Sequence, residues 1–285
     1  MLNSKEEITE YIKNICKSEV TKEYNIDKVG TVDMYIPEKQ IAIIIKNTID
    51  DILCIDKKLN QQKVIECTKQ KIRLIHIFEY EWQNDEKQEK IKNYLVDTLN
   101  DNKQVIYARS TEIKDVSKEE AKEFINKYHL QGYASSTYNI GLYYKDELVS
   151  IMTFARPRFN HSYDYEIIRL CTKNNVRILG GTERMFKHFV DNFKHISILT
   201  YADISKFTGN IYTKLGFEME RISEPNYMWV SSDSKTALPR YKTQKRKLLN
   251  MMPYLNPSMT EVEIMESLGF IKVCDCGNLV MSYDK

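Results

Sequence analysis

No run of 18 apolar residues occurs in the sequence, so no segment reads as a membrane-spanning helix. The opening Met1-Leu2-Asn3-Ser4-Lys5-Glu6 lacks the basic-then-apolar pattern of a secretory leader, and a cytoplasmic protein is expected. Cysteines number six and are scattered, apart from Cys274-Asp275-Cys276. Reduced thiols are expected in that compartment, and the close pair lacks two further ligands nearby in sequence for a zinc site. No metal is expected. Glycine and proline are scarce, at 9 and 6, and no internal repeat or low-complexity stretch appears. The net charge of +2 excludes a polycation, although its distribution is uneven.

At 285 residues the chain has room for two domains. Ser4-Lys5-Glu6-Glu7 reads as a capping box opening an amphipathic helix, with Ile8, Tyr11, Ile12 and Ile15 at helical spacing. Thr31–Ile36 alternates as a strand, and Ile41–Ile45 is a β-branched run suited to a strand buried on both faces. Segments 57–70 and 85–99 read as helices around a strand at Arg73–Phe78. A small α/β domain is thus expected over 1–105.

A second domain is expected over 110–236, with a basic extension, 237–285, packed on it. Tyr107–Glu112 reads as a linker strand, and Ser117-Lys118-Glu119-Glu120 caps a helix through Tyr128. Strands follow at Tyr138–Tyr144, Leu148–Phe154 and Tyr165–Cys171. A helix over 181–192, a strand at Ile196–Ala202, a helix ending at Leu215 and a strand near Tyr227–Val230 complete it. The extension should hold a basic helix over 240–250, a helix capped by Thr260 and stopped at Gly269, and a closing hairpin over 270–283. The fold class expected is α/β with mixed α+β sheets.

The strongest chemical signal is a strand, Ile167–Thr172, followed by a glycine loop, Arg177-Ile178-Leu179-Gly180-Gly181-Thr182, that opens a helix. Amides at a helix start bind pyrophosphate, and glycine lets it approach the backbone. Downstream lies Asn210-Ile211-Tyr212-Thr213-Lys214-Leu215-Gly216-Phe217. Hairpin, glycine loop and Tyr-x-x-x-Gly-Phe segment resemble, in order and spacing, the GNAT acyltransferases. The resemblance covers about 115 residues and implies acetyl-CoA as cofactor, held along Leu170, Cys171, Thr172, Arg177, Gly180, Gly181 and Thr182. Thr182 stands where the family usually has a smaller residue. By the same resemblance Tyr212 protonates a departing thiolate, or it packs behind Phe217 as a core ring.

Tyr201-Ala202-Asp203 with Gly209 and Tyr212, and Arg156-Pro157-Arg158, resemble Mom-type phage DNA-modification proteins. That likeness implies nucleic acid, DNA above all, as acceptor. It makes Asp203 a base, or alternatively a helix cap, with Glu166 the second candidate base. The run Arg240, Lys242, Lys245, Arg246 and Lys247, with Arg156 and Arg158, reads as a phosphate-binding face or as a solvated one.

Residues 32–37, 41–43 and 72–82 resemble the very-short-patch-repair-like nuclease domain of phage homing endonucleases, which often precedes a GNAT-like domain and a tail like Val273–Asn278. The whole-chain resemblance is to that group. Glu7 and Asp33 match its helix and strand acids, but eleven residues past Asp33, where a second carboxylate belongs, stands Ile44. Asp50 or Asp51 could substitute only with a different geometry. Cleavage needs acidic oxygens converging on a divalent cation, so this half reads as a degenerate nuclease-like fold that expects no metal. The expected function is acyl transfer to a nucleic-acid amine. The rivals are a homing-endonuclease-like DNA-binding protein with lost or weak cleavage, and a non-catalytic binding protein or inhibitor of a host factor.

Overall fold

The computed structural model describes residues 4–48, 56 and 58–285. In chain order the elements are α1 (Ser4–Ile15), β1 (Thr21–Ile26), β2 (Gly30–Ile36), β3 (Ile41–Lys46), α2 (Leu59–Lys69), β4 (Arg73–Phe78), α3 (Glu79–Trp82) and α4 (Asp85–Leu99). There follow β5 (Gln104–Tyr107), β6 (Glu112–Asp115), α5 (Lys118–Tyr128), β7 (Tyr138–Tyr144), β8 (Glu147–Ala155), β9 (Tyr165–Thr172), β10 (Val176–Leu179), α6 (Gly181–Val190) and β11 (Ser197–Asp203). The chain ends with α7 (Asn210–Lys214), β12 (Glu218–Ile222), β13 (Tyr227–Ser231), β14 (Ala237–Pro239), α8 (Lys245–Met251), α9 (Glu261–Ser267), β15 (Phe270–Cys274) and β16 (Asn278–Asp284). Helices and mixed sheets together make an α/β protein, the class expected.

Contacts divide the chain into two compact units, and neither is contiguous. The first comprises Met1–Glu89, Asp203–Phe207 and Glu224–Asn278. The second comprises Lys90–Ala202, Thr208–Ser223 and Leu279–Lys285. This differs from the contiguous partition 1–105, 110–236 and 237–285. Residues 237–278, most of the extension expected on the acyltransferase-like part, belong to the first unit. The cause is apolar: Val230 and Val273 bury against Phe78 at the end of β4.

In the first unit a sheet of order β1-β2-β3-β4 is antiparallel except for the parallel pair β3–β4. Every residue from Ile41 to Ile45 is buried, as the β-branched run requires. Ile8 and Ile12, one turn apart on α1, are fully buried, and Tyr11 meets Trp82 edge-on at 5.4 Å. The expected capping box at Ser4 is not formed. Its hydroxyl instead donates to Glu79 Oε1 at 2.8 Å and accepts from Gln83 Nε2 at 2.7 Å. A second sheet, β14-β13-β15, carries Trp229 onto Leu248, Ile264 and Met265. Thr260 caps α9 as expected, and with Glu263 it completes a capping box.

The second unit is built on a seven-stranded sheet of order β12-β16-β11-β9-β8-β7-β6. The pair β11–β9 is parallel, whereas β6–β7, β7–β8, β8–β9 and β12–β16 are antiparallel. α6 buries Met185, Phe186, Phe189 and Val190 against the sheet, while α5 places Ala121, Phe124 and Ile125 on Leu148, Ile151 and Cys171. The expected hairpin over 270–283 does not exist. β15 pairs with β13 in the first unit and β16 with β12 in the second. Val273 serves one core and Met281 the other, so the chain changes units between them.

Candidate functional site

β9 and β11 lie parallel through Tyr165–Ile198, Glu166–Leu199 and Ile167–Thr200. The ladder stops there, although β9 continues to Thr172 and β11 to Asp203. On its other edge β9 pairs with β8, and that register skips Ile168: Thr153 faces Arg169 and Phe154 faces Ile167. Ile168 is thus the extra residue of a bulge at the point where the parallel ladder ends. Bulges re-aim backbone groups, and this one lies at the residue after which β9 is no longer laddered to β11.

Alternation along β9 sorts its candidate residues. Leu170 packs on the α6 side, whereas Cys171 is buried on the α5 side. Burial pushes the Cys171 thiol up to about 12, so it is no nucleophile, and only its backbone can serve a ligand. Thr172 ends the strand half-buried, its hydroxyl 2.9 Å from that of Ser150.

The following loop is more ordered than a glycine turn. Val176–Leu179 forms β10, parallel to β5 from Val176–Gln104 to Leu179–Tyr107. Gly180 then caps α6 with φ of +76°, a conformation that glycine adopts freely. Gly181 is glycine for another reason: a Cβ there would stand 2.6 Å from Ile178 Cγ2. Arg177 is exposed, and Thr182 is half-buried in the first turn of α6. Arg184, which sequence reasoning passed over, ties α6 to the preceding loop by donating to the carbonyls of Ala108 and Thr111.

Tyr212 sits on α7, a helix of five residues, with its ring edge-on to Phe217 at 5.7 Å. Burial holds its phenol above the ordinary value, and Thr200 and Arg169 offset part of that shift. Thr200 Oγ1 is buried and completes no well-formed hydrogen bond. Tyr212 thus packs against the core as the second of its two readings has it, and burial favours its protonated form. Arg169, also missed from sequence, donates through Nε to Gly132 O and through Nη1 to Ile168 O, each at 2.8 Å. Burial, with Arg158 as the next cause, brings its guanidinium down to about 10, while Glu166 and Tyr212 pull the other way. Arg169 thus feels the candidate base and the candidate acid together.

Glu166 is only 6 % exposed, and its Oε2 accepts from Arg158 N at 3.2 Å. The Tyr201 phenol is raised by burial and next by Glu166. Asp203 belongs to the first unit, and its Oδ1 accepts from Ser205 N at 2.9 Å in a local turn; it does not cap the next helix, whose cap position is held by Gly209.

In the first unit Asp33 lies on β2 beside Ile44, which is 7 % exposed. One Asp33 oxygen pairs with Lys5 Nζ at 2.5 Å and the other accepts from Ile45 N at 2.6 Å. Glu7 is exposed on α1. Among the described residues no group of three or more His, Cys, Asp or Glu could hold a metal. Asp50 and Asp51 lie outside the described residues.

The basic residues do not form one helical face. Arg240 and Lys242 precede α8 in a turn, and only Lys245, Arg246 and Lys247 are helical. Arg240 lies over the Tyr227 ring at 5.4 Å, and Lys247 donates to Tyr241 O at 2.7 Å. Arg156 and Arg158 are exposed in the second unit, whereas the run 240–247 is in the first. No helix among the described residues is long and apolar enough to cross a membrane. Compared with models of protein families the chain matches none, and no curated protein is similar to it.

Proposed function

We propose that the second unit is a GNAT-type acyltransferase that moves an acetyl group from acetyl-CoA to an amine, with a nucleic-acid amine as acceptor. The observation that carries the reading is the parallel pair β9–β11, whose ladder ends at Ile167–Thr200 beside the Ile168 bulge. The Gly180 cap of α6 follows β9, and Tyr212 faces Thr200 and Arg169. The free edge of Ile168–Thr172 suits an extended amide-bearing arm, and the amides after Gly180 suit a pyrophosphate. Acetyl-CoA would supply a thioester-activated acetyl group.

The residues present divide the remaining work. Tyr212, protonated at neutral pH, donates its proton to the departing sulfur. Glu166, buried on β9, receives the proton of the attacking amine as the N–C bond forms and the C–S bond breaks. Asp203, whose Oδ1 accepts from Ser205 N, holds the turn after β11 and is given no proton-transfer role. Nucleic acid as partner rests on the exposed basic residues Arg240, Lys242, Arg246 and Lys247, with Arg156 and Arg158.

Incubating the protein with acetyl-CoA and DNA, then digesting the DNA to nucleosides for mass spectrometry, tests the reading. Acetylated nucleosides are expected, and Tyr212→Phe should lower their rate of formation by about 100-fold while leaving acetyl-CoA affinity unchanged. Undiminished turnover in Tyr212→Phe contradicts the assignment of the proton donor. A second reading, a homing-endonuclease-like DNA-binding protein without cleavage, is favoured by Ile44 and by the occupied oxygens of Asp33. It predicts intact plasmid in Mg²⁺ or Mn²⁺.

A further inference from the structure

β5 and β10 form a two-stranded parallel ribbon in the second unit, with Val105 beside Arg177 and Tyr107 beside Leu179. Strand alternation gives the ribbon two faces. Inward, Ile106 is buried in the core that includes Met185 and Phe186 of α6, and Val176 and Ile178 pack against it. Outward, Val105 and Tyr107 are 52 % and 53 % exposed, and Arg177 and Leu179 are exposed beside them. Valine, tyrosine ring and leucine thus share one side of the ribbon, an exposed apolar surface of the kind that receives a ligand.

The rim of this surface is cationic. Arg109 is exposed, with Cζ 5.2 Å from the centre of the Tyr107 ring. The guanidinium groups of Arg109 and Arg177 make no hydrogen bond or ion pair among the described residues. Residues 104–110 and 176–182 contain no acid that could neutralise them. The ribbon also leads straight into the cap of α6. Leu179 precedes Gly180, and a Cβ on Gly180 would stand 3.6 Å from Ala108 Cβ. Arg184 of α6 donates to the carbonyls of Ala108 and Thr111. Tyr107, Ala108 and Arg109 therefore border the first turn of α6, whose amides suit a pyrophosphate.

We propose that the outer face of β5 and β10 holds the adenosine 3′-phosphate end of acetyl-CoA. The inference rests on the acetyl-CoA reading of the second unit and adds the nucleotide contacts to it. In coenzyme A the adenosine hangs directly on the pyrophosphate, so its site must border the pyrophosphate site, as this face borders the α6 cap. Adenine offers a flat π-face, which stacks on an aromatic side chain, and the exposed Tyr107 ring supplies one. Val105 and Leu179 extend the apolar floor. A guanidinium pairs with phosphate through two parallel N–H groups, and Arg109 beside the ring meets the 3′-phosphate of the adjoining ribose.

Calorimetric titration of the full chain with three ligands is the test: acetyl-CoA, acetyl-dephospho-CoA, which lacks only the 3′-phosphate, and S-acetyl phosphopantetheine, which lacks the nucleotide. The unaltered protein should bind acetyl-CoA about fivefold more tightly than the dephospho form, a comparison that needs no variant. In Arg109→Gln the two affinities should become equal. Tyr107→Ala should raise the Kd of both nucleotide ligands by about fivefold or more, with Tyr107→Phe keeping them within about twofold. The affinity for S-acetyl phosphopantetheine should not change in any of these variants. Acetyl-CoA binding that is indifferent to the 3′-phosphate, or unchanged in Tyr107→Ala, overturns the proposal and leaves the acetyl-CoA reading standing. No heat with any of the three ligands overturns that reading and the proposal with it.

Discussion

Gly180 and Gly181 stand side by side at the start of α6, and alanine should fail at each for a different reason. At Gly180 there is room, since a Cβ would lie 3.6 Å from Ala108 Cβ, but φ of +76° disfavours any side chain. At Gly181 the backbone tolerates alanine, but its Cβ would stand 2.6 Å from Ile178 Cγ2 and 3.0 Å from both Ile178 Cβ and Leu142 Cδ1. Ile178 is β-branched and lies in β10, so neither its Cβ nor its Cγ2 can swing aside without moving the strand. Overpacking of this kind costs about 1–3 kcal/mol, and alanine's helix preference over glycine returns at most about 1. Gly181→Ala should therefore destabilise the second unit by about 1–2 kcal/mol. Both tryptophans, Trp82 and Trp229, lie in the first unit, which permits a selective assay. In urea the far-ultraviolet dichroism transition should shift while the tryptophan fluorescence transition stays in place. Ile178→Ala should rescue Gly181→Ala, with a coupling of at least about 1 kcal/mol, because it removes the worst contact. Strict additivity of the two substitutions, or no loss in Gly181→Ala, refutes the packing argument.

Three further expectations concern charge. Lys206, with a side chain 3 % exposed, donates to Glu81 Oε2 at 2.8 Å and to His76 O, so Lys206→Met should destabilise the first unit by about 3–5 kcal/mol in tryptophan-monitored urea melts. A loss within error of zero contradicts this. Asp275 is raised to about 6, chiefly by burial, and a carboxyl raised above its unfolded value favours the folded state while protonated. The first unit should accordingly lose stability as pH rises from about 4 through 6, and Asp275→Asn, which keeps an acceptor for Asn226 N and Gly277 N, should flatten Tm over that window. Duplex DNA binding should weaken with salt by about 0.9 in log affinity per phosphate contact, and replacing Lys245, Arg246 and Lys247 by Glu should abolish it at low salt. Retained binding in that variant removes the basic segment from the interface.

Periodic elements were legible in the sequence wherever burial is one-sided or complete. The run Ile41–Ile45 and the strand Arg73–Phe78 emerge where expected, as does α5 with Ser117 accepting from Glu120 N at 3.1 Å. Thr21–Ile26 was not legible as a strand, because four of its residues are exposed and polarity hides an edge strand. β10 was hidden in the same way, its only strand partner among the described residues being the short β5. The hairpin expected over 270–283 failed because Val273 and Met281 read as one alternating pattern, and nothing local says that they serve different cores. Of the candidate site, Tyr212 and the two glycines carried motif signals. Arg169 did not, since its significance comes from burial beside charges distant in sequence.

The central claim, that the fork between β9 and β11 and the Gly180 cap form an acetyl-CoA site, is tested most directly by titrating acetyl-CoA into the intact chain. A ligand that binds only the folded protein raises its stability, by about 2.7 kcal/mol when present at about 100 times its Kd. The account predicts saturable heat with one site per chain and a rise in the dichroism-monitored Tm, the tryptophan-monitored transition following less or not at all. No heat and no rise in Tm at millimolar acetyl-CoA contradicts it.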